Sequence, residues 1–274
     1  MILKYQSSSG EEFDLKTTAL RTRTANYHDY SWQPQIKEQQ YGDRVYRFDK
    51  EALYYDTILN IGGSVEQRRE TLNNLHEAFD RDIFTMKPGR IIHGDYYIQC
   101  YITFSSTAYN HPFTENELNI YCPYPFWIKE NKYECLKQED TAGANEFLDY
   151  PYDFDYDYMS GLTGQQSIEN GGPGPAEYRL TMYGAASNPY ISIDGEIIGV
   201  STILQDGEYL VLDSREHTVY RHTITGEKIN LYNNRTKDRS IFEKIASGQH
   251  SVVWPGTFGF DLIIFEERSE PKWS

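Results

Sequence analysis

From Glu177 onward the chain is a succession of short β-prone runs spaced roughly ten residues apart, and that rhythm constrains the fold more than any other feature. The runs are EYRLTMY (177–183), YISID (190–194), IIGVSTIL (197–204), EYLVLD (208–213), HTVYRHT (217–223), KINLY (228–232), HSVVW (250–254) and FGFDLIIFEER (258–268). Asp194-Gly195, Asp206-Gly207 and Thr225-Gly226 separate neighbouring runs with residues that tolerate the backbone angles of a tight turn. No helical stripe longer than a turn or two interrupts them. The pattern predicts an antiparallel β-sandwich over 177–274. The Gly/Pro-rich NGGPGPA at 170–176 reads as the end of the linker that leads into it.

The first half reads differently. Val45, Arg47 and Asp49 alternate with Tyr46, Phe48 and Lys50, and a second extended run, Leu53 to Ile61, ends in Gly62-Gly63. One substantial helix follows, over about 65–80. Ser64 and Gln67 have the spacing of a capping box, and Val65, Leu72, Leu75 and Phe79 share one face that should lie on a sheet. After the Pro88-Gly89 turn, DYYIQCYITFS (95–105) is the strongest strand in the chain, and CPYPFWI (122–128) closes the block with prolines that suit an edge or an exit. The fold class expected is α+β, mostly β. Residues 1–136 form an N-terminal domain, 137–176 an acidic aromatic strap, and 177–274 the sandwich.

Length and charge narrow the function. A chain of 274 residues suits two compact units. With 26 basic and 41 acidic side chains the net charge is −15, so a broad nucleic-acid-binding face is not expected. Against Lys137, residues 137–159 carry Glu139, Asp140, Glu146, Asp149, Asp153, Asp155 and Asp157. No apolar run approaches the roughly 20 residues of a membrane-spanning helix, and MILKYQSSSGEEFDL has no secretion-signal core. A soluble chain with no membrane partner, made in the cytoplasm, is expected. Cys100, Cys122 and Cys135 are too few and too dispersed for a disulfide framework or a metal knuckle, and read as reduced packing groups.

The candidates for chemistry are weak. Asp153, Asp155 and Asp157 have the first spacings of a calcium loop, but Tyr158 stands where the loop needs glycine and Gly164 where it needs a bidentate glutamate. The seven histidines include no HExxH, and neither a G-x-S-x-G elbow nor a phosphate-cradling glycine loop is present. No catalytic residue, metal or cofactor is therefore expected. Trp254, Tyr232 and Phe258 could form a sugar-stacking platform, or else fill the core between the sheets.

Gly62-Gly63 with the helical RRETLNNL (68–75), PGR (88–90) followed by YYIQCYITFSS (96–106), the joint LDYPYDFDYDY (148–158), and NPYISIDG (188–195) leading to DGEYLVLD (206–213) stand in an order that resembles the phage distal tail protein family. These are the Dit-type proteins of long-tailed phages and prophages of Gram-positive bacteria. The resemblance implies a virion structural protein, not an enzyme. Its N-terminal domain would assemble into a homo-oligomeric ring, usually a hexamer, and carry a C-terminal galectin-like sandwich. Such a ring joins the tail tube protein to the baseplate or tail-tip hub protein, with DNA passing through the lumen without specific binding. The virion tail is the location implied. The alternative is a carbohydrate-binding sandwich that adheres to a host surface, although residues 190–223 lack the His-x-Asn-x-Arg set of galectins.

The strap supplies the candidate assembly residues. Tyr150, Tyr152, Phe154, Tyr156 and Tyr158 recur at every second position, so an extended chain would put these rings on one side and its aspartates on the other. A flexible linker is rich in Gly and Ser, and this one is not. The expectation is an ordered, packed strap, held partly by a neighbouring subunit.

Overall fold

The computed structural model describes residues 2–109, 112–138, 163–237 and 239–273. The chain divides into two compact units, Met1–Lys129 with Glu267–Ser274, and Glu130–Glu266. The strap at 148–158, with its five rings and the Asp153/Asp155/Asp157 triplet, lies outside the described residues. The architecture is mostly β with antiparallel pairing, and one α-helix is found among the described residues.

The first unit is organised by the 14-residue strand Tyr96–Tyr109. Its first half pairs with Gly89–His93, which in turn pairs with Leu3–Gln6 and, beyond it, Glu12–Asp14. Its second half pairs with Thr114–Cys122, followed outward by Leu53–Ile61 and Leu20–Ala25. The strand passes from one set of partners to the other between Cys100 and Tyr101, and a register shift between Ile102 and Phe104 follows just inside the second ladder. Sequence reasoning found Leu53–Ile61 and the 95–105 run but not Leu3–Gln6, Leu20–Ala25 or Thr114–Cys122, which are short or heavily polar.

The helix spans Val65–Phe84. Ser64 accepts from the Gln67 backbone N–H while the Gln67 side chain accepts from the Ser64 backbone N–H, so the expected capping box is present. Leu72, Leu75, Ala78, Phe79 and Asp82 are buried. Val65 is exposed, because it sits in the first turn, ahead of the stretch that packs on the sheet. Asp82 is an unusual core residue: Tyr5 Oη donates to its Oδ2 at 2.5 Å and the Ser8 backbone N–H to its Oδ1 at 2.8 Å. These bonds tie the last turn of the helix to the first hairpin of the chain. Beside them Tyr27, Tyr55 and Trp127 form an edge-on aromatic cluster in which Trp127 Nε1 donates to Tyr55 Oη at 3.2 Å and Thr57 donates to Tyr27 Oη at 3.0 Å. Burial raises both tyrosine pKa values.

The second unit is the sandwich that the turn-punctuated runs predicted. One sheet runs Lys228–Asn230, Thr218–His222, Tyr209–Asp213, Glu177–Tyr183, Gly259–Arg268. The other runs Gly164–Asn170, Gly248–Trp254, Tyr190–Ile193, Glu196–Gly199. Tyr178, Leu180 and Met182 alternate inward from the first sheet and meet Ile168, Ile191, Val252 and Trp254 from the second. The strand Gly164–Asn170 lies upstream of the first run read from the sequence. Trp254 closes over it so tightly that the ring atoms stand about where a Cβ on Gly164 would be, at 2.3 Å.

The turn Asp194-Gly195 has both residues at positive φ, 50° and 89°, as a two-residue hairpin connection requires. Asp194 also holds His250: its Oδ2 lies 2.6 Å from Nδ1, and the Ala246 carbonyl lies 2.8 Å from Nε2. Both ring nitrogens face acceptors, which is the arrangement of an imidazolium. Burial alone would lower the His250 pKa, but the Asp194 and Ala246 bonds outweigh it and the net shift is upward, while the His250 bond lowers that of Asp194. The histidine contribution is fully present below its unfolded pKa of about 6.5 and is lost as pH rises through the higher folded value. The aspartate contribution is present above about pH 3.9 and is lost as pH falls through its lower folded value. Wild type should therefore exceed His250→Gln in stability below about pH 6.5, and the gap should close in alkali. Urea titrations at a series of pH values, with the His250 ring followed by NMR, check both the sign and the window.

Candidate assembly surface

Between Leu20–Ala25 and Leu53–Ile61, two strands that pair with each other, the first unit sends out a hairpin of Gln33–Glu38 and Asp43–Asp49. These two strands form a sheet of their own. The burial pattern is exposed at nearly every position of both strands, yet the hairpin carries Ile36, Tyr41, Val45, Tyr46 and Phe48. Tyr41 at the tip is 87% exposed and Tyr46 66%. A lone two-stranded hairpin is marginal in water, and one with apolar side chains on both faces gains little until something covers it. This arm is the exposed apolar feature most in need of a partner.

Its root is firmly seated. Lys50 Nζ lies 4.2 Å from the centre of the Phe126 ring, 5.3 Å from that of Trp32 and 5.6 Å from that of Tyr30. The amine is buried without a hydrogen-bond partner, and burial lowers its pKa to about 8, with Glu267 pulling the other way. Trp32 Nε1 donates to Ser269 Oγ at 3.2 Å, and Tyr124 Oη to Glu267 at 2.6 Å. The arm therefore leaves a fixed base, although its strands touch little else.

A second apolar patch lies at the end of the helix, where Ile83, Phe84 and Met86 are exposed, Phe84 by 83%. Met86 adopts a positive φ of 53°, so the chain reverses just there and leaves the patch projecting. The two patches differ in sequence, shape and secondary structure.

The other candidates fare unevenly. Trp254 and Phe258 are 3% and 2% exposed and belong to the core between the sheets, which leaves Tyr232 alone of the proposed sugar platform at the surface. Cys100, Cys122 and Cys135 are free and buried, and burial pushes the last two up to about 12 and about 11. Sequence reasoning missed the arm as an arm. It read alternation in 45–50, but QPQIKE supplies one β-former, and nothing in either strand announces that both faces are bare.

A two-unit chain with a β-rich first unit carrying one helix and an antiparallel sandwich has the fold of phage baseplate and distal tail proteins. Over 98% of its length it superposes on the whole Dit protein of phage SPP1, described as a paradigm of the hub adsorption apparatus in phages infecting Gram-positive bacteria, with a TM-score of 0.57 and 12% identity. A chain of the phage P2 baseplate in its activated conformation with calcium gives 0.63, also at 12% identity, covering 99% of this chain and 100% of that one. The strontium form of the same baseplate gives 0.64 over 98% and 99% of the two chains. No protein-family model matches the sequence, and no curated protein matches it.

Proposed function

We propose that this chain is the distal tail protein of a long-tailed phage or prophage. Copies of the first unit close into a ring, a hexamer, that joins the tail tube to the baseplate or tail-tip hub. The observation that carries the reading is the unpartnered arm, on a chain whose whole length follows the fold of Dit and baseplate proteins. The arm and the Ile83/Phe84/Met86 patch are two different surfaces of one unit. Contact between unlike surfaces is heterologous, and when its rotation closes it generates a ring rather than a two-fold dimer. The net charge of −15 suits a conduit through which DNA slides without sticking. The role is structural, located in the virion tail after synthesis in the host cytoplasm. The carbohydrate-binding alternative loses support with the burial of Trp254 and Phe258.

Light scattering over a concentration series, alone and with the tail neighbours, tests the reading, with negative-stain images of the largest species. A closed ring with a central hole is expected. A two-fold dimer, or a monomer at every concentration and with every neighbour, would overturn it.

A further inference from the structure

The first unit also holds a hollow of about 450 Å³, lined by Lys16, Thr18, Arg21, Thr22, His28 and His93 among others. We propose that it is a binding site for the phosphate group of a small phosphate ester. The proposal stands apart from the assembly reading and does not depend on it.

Lys16 and Arg21 are partners across an isolated antiparallel β-bridge, so their side chains leave the same face at neighbouring positions. Among the described residues neither cation is within ion-pair distance of a carboxylate. The acids nearby are otherwise engaged: Asp14 Oδ1 accepts from the Lys16 backbone N–H at 2.9 Å, and Glu270 Oε2 lies 3.5 Å from His28 Nδ1. Two adjacent cations, neither of them in an ion pair, in a protein that is acidic as a whole, form a local positive focus. That focus acts on its surroundings: burial, with His28 and Lys16 close by, holds the His93 pKa below its ordinary value.

One uncharged group points the same way. Thr22 lines the hollow, and its Oγ1 is buried just behind that surface without a hydrogen-bond partner. A buried hydroxyl left unpaired is costly, and a turn of the Thr22 side chain about χ1 toward an acceptor oxygen in the hollow relieves it. A tetrahedral dianion matches two cations in charge and offers oxygens to a guanidinium, an ammonium and a hydroxyl together, whereas a carboxylate offers two in one plane. The volume falls in the range of small-molecule sites, roughly 300–1,000 Å³, and so leaves room for the rest of an ester.

Inorganic phosphate, glucose 6-phosphate and a short DNA duplex should each be titrated into the full chain at low ionic strength, with the ring protons of His28 and His93 followed by NMR. Saturable shifts of both histidines are expected, with glucose 6-phosphate binding more tightly than phosphate. Lys16→Gln and Arg21→Gln should each weaken binding about tenfold, the usual size of one charged hydrogen bond, and Thr22→Val should weaken it less. The pair Lys87→Gln and Arg90→Gln, in the separate basic hollow beside Ser7 and Gln99, should leave it unchanged. Shifts that fail to saturate, that chloride reproduces, or that survive loss of both Lys16 and Arg21 would overturn the site. No gain for the sugar phosphate over inorganic phosphate, or tighter binding of DNA than of either, would overturn its assignment to a small ester.

Discussion

Gly89→Ala should destabilise the first unit by about 4 kcal/mol, the sum of an overpacking strain and of damage to a buried hydrogen bond to a charged group. The new Cβ would stand 2.5 Å from Asp82 Oδ2 and 2.7 Å from Tyr5 Oη, the two atoms that bond each other. Neither can retreat easily. Tyr5 is 2% exposed and edge-on to Phe79 at 5.0 Å, and Asp82 is 0% exposed and also receives the Ser8 N–H. Driving the pair apart strands a carboxylate in the core, so the cost exceeds that of an extra methyl in an apolar site. Urea unfolding followed by tryptophan fluorescence measures it. In a Tyr5→Phe background the same substitution should cost less, since one of the two clashing atoms is gone, and a coupling of zero would show that the bond is not what the methyl disrupts.

Removing the arm's apolar side chains should abolish assembly while leaving folding intact. Tyr41→Ser, Tyr46→Ser and Phe48→Ser together expose no core, because all three rings already stand in solvent. Unfolding free energy should change by less than about 1 kcal/mol, as for surface positions generally. Association should fall at least about a hundredfold, since each large ring buried at a contact contributes on the order of 1.5 to 3 kcal/mol. The matching change at the other patch, Phe84→Ser with Met86→Ser, should have the same effect. In a heterologous contact, a mixture of the two variants can still form one native junction per pair, from the intact arm of one and the intact helix end of the other. Equimolar mixing should therefore restore dimers but no rings. Analytical ultracentrifugation of the three samples distinguishes this from an isologous arm-to-arm contact, in which the helix-end variant dimerises unaided and mixing adds nothing.

Much of the sandwich was legible because its physics is local. The inward alternation of Tyr178, Leu180 and Met182 is written in consecutive residues, and Asp194-Gly195 announces a turn wherever it stands. The helix was equally plain from Ser64, Gln67 and the Leu72/Leu75/Phe79 stripe. Leu3–Gln6 and Leu20–Ala25 were not, since LRTRTA has the composition of a loop and becomes a strand only because Leu53–Ile61 presents it with a ladder. The candidate surface was less legible still. An unpartnered side chain looks the same in sequence as a packed one, so Tyr46 and Phe48 read as ordinary strand residues. Lys16 and Arg21 are joined by a single bridge that no spacing rule foretells.

The first unit is interrupted: the chain leaves it at Lys129 and returns at Glu267. The residues that return are those that finish the root of the arm, Glu267 opposite Lys50 and under Tyr124, Ser269 under Trp32, and Glu270 with Trp273 around His28. A nascent chain that has not reached residue 267 can form the Tyr5, Asp82 and Phe79 core but lacks the groups that fix the direction in which the arm points. Synthesis then acts as a clock. The direction of the arm is fixed only once residues 267–273 have followed the sandwich residues out of the ribosome, so a chain that stops short of them carries an arm without its seat.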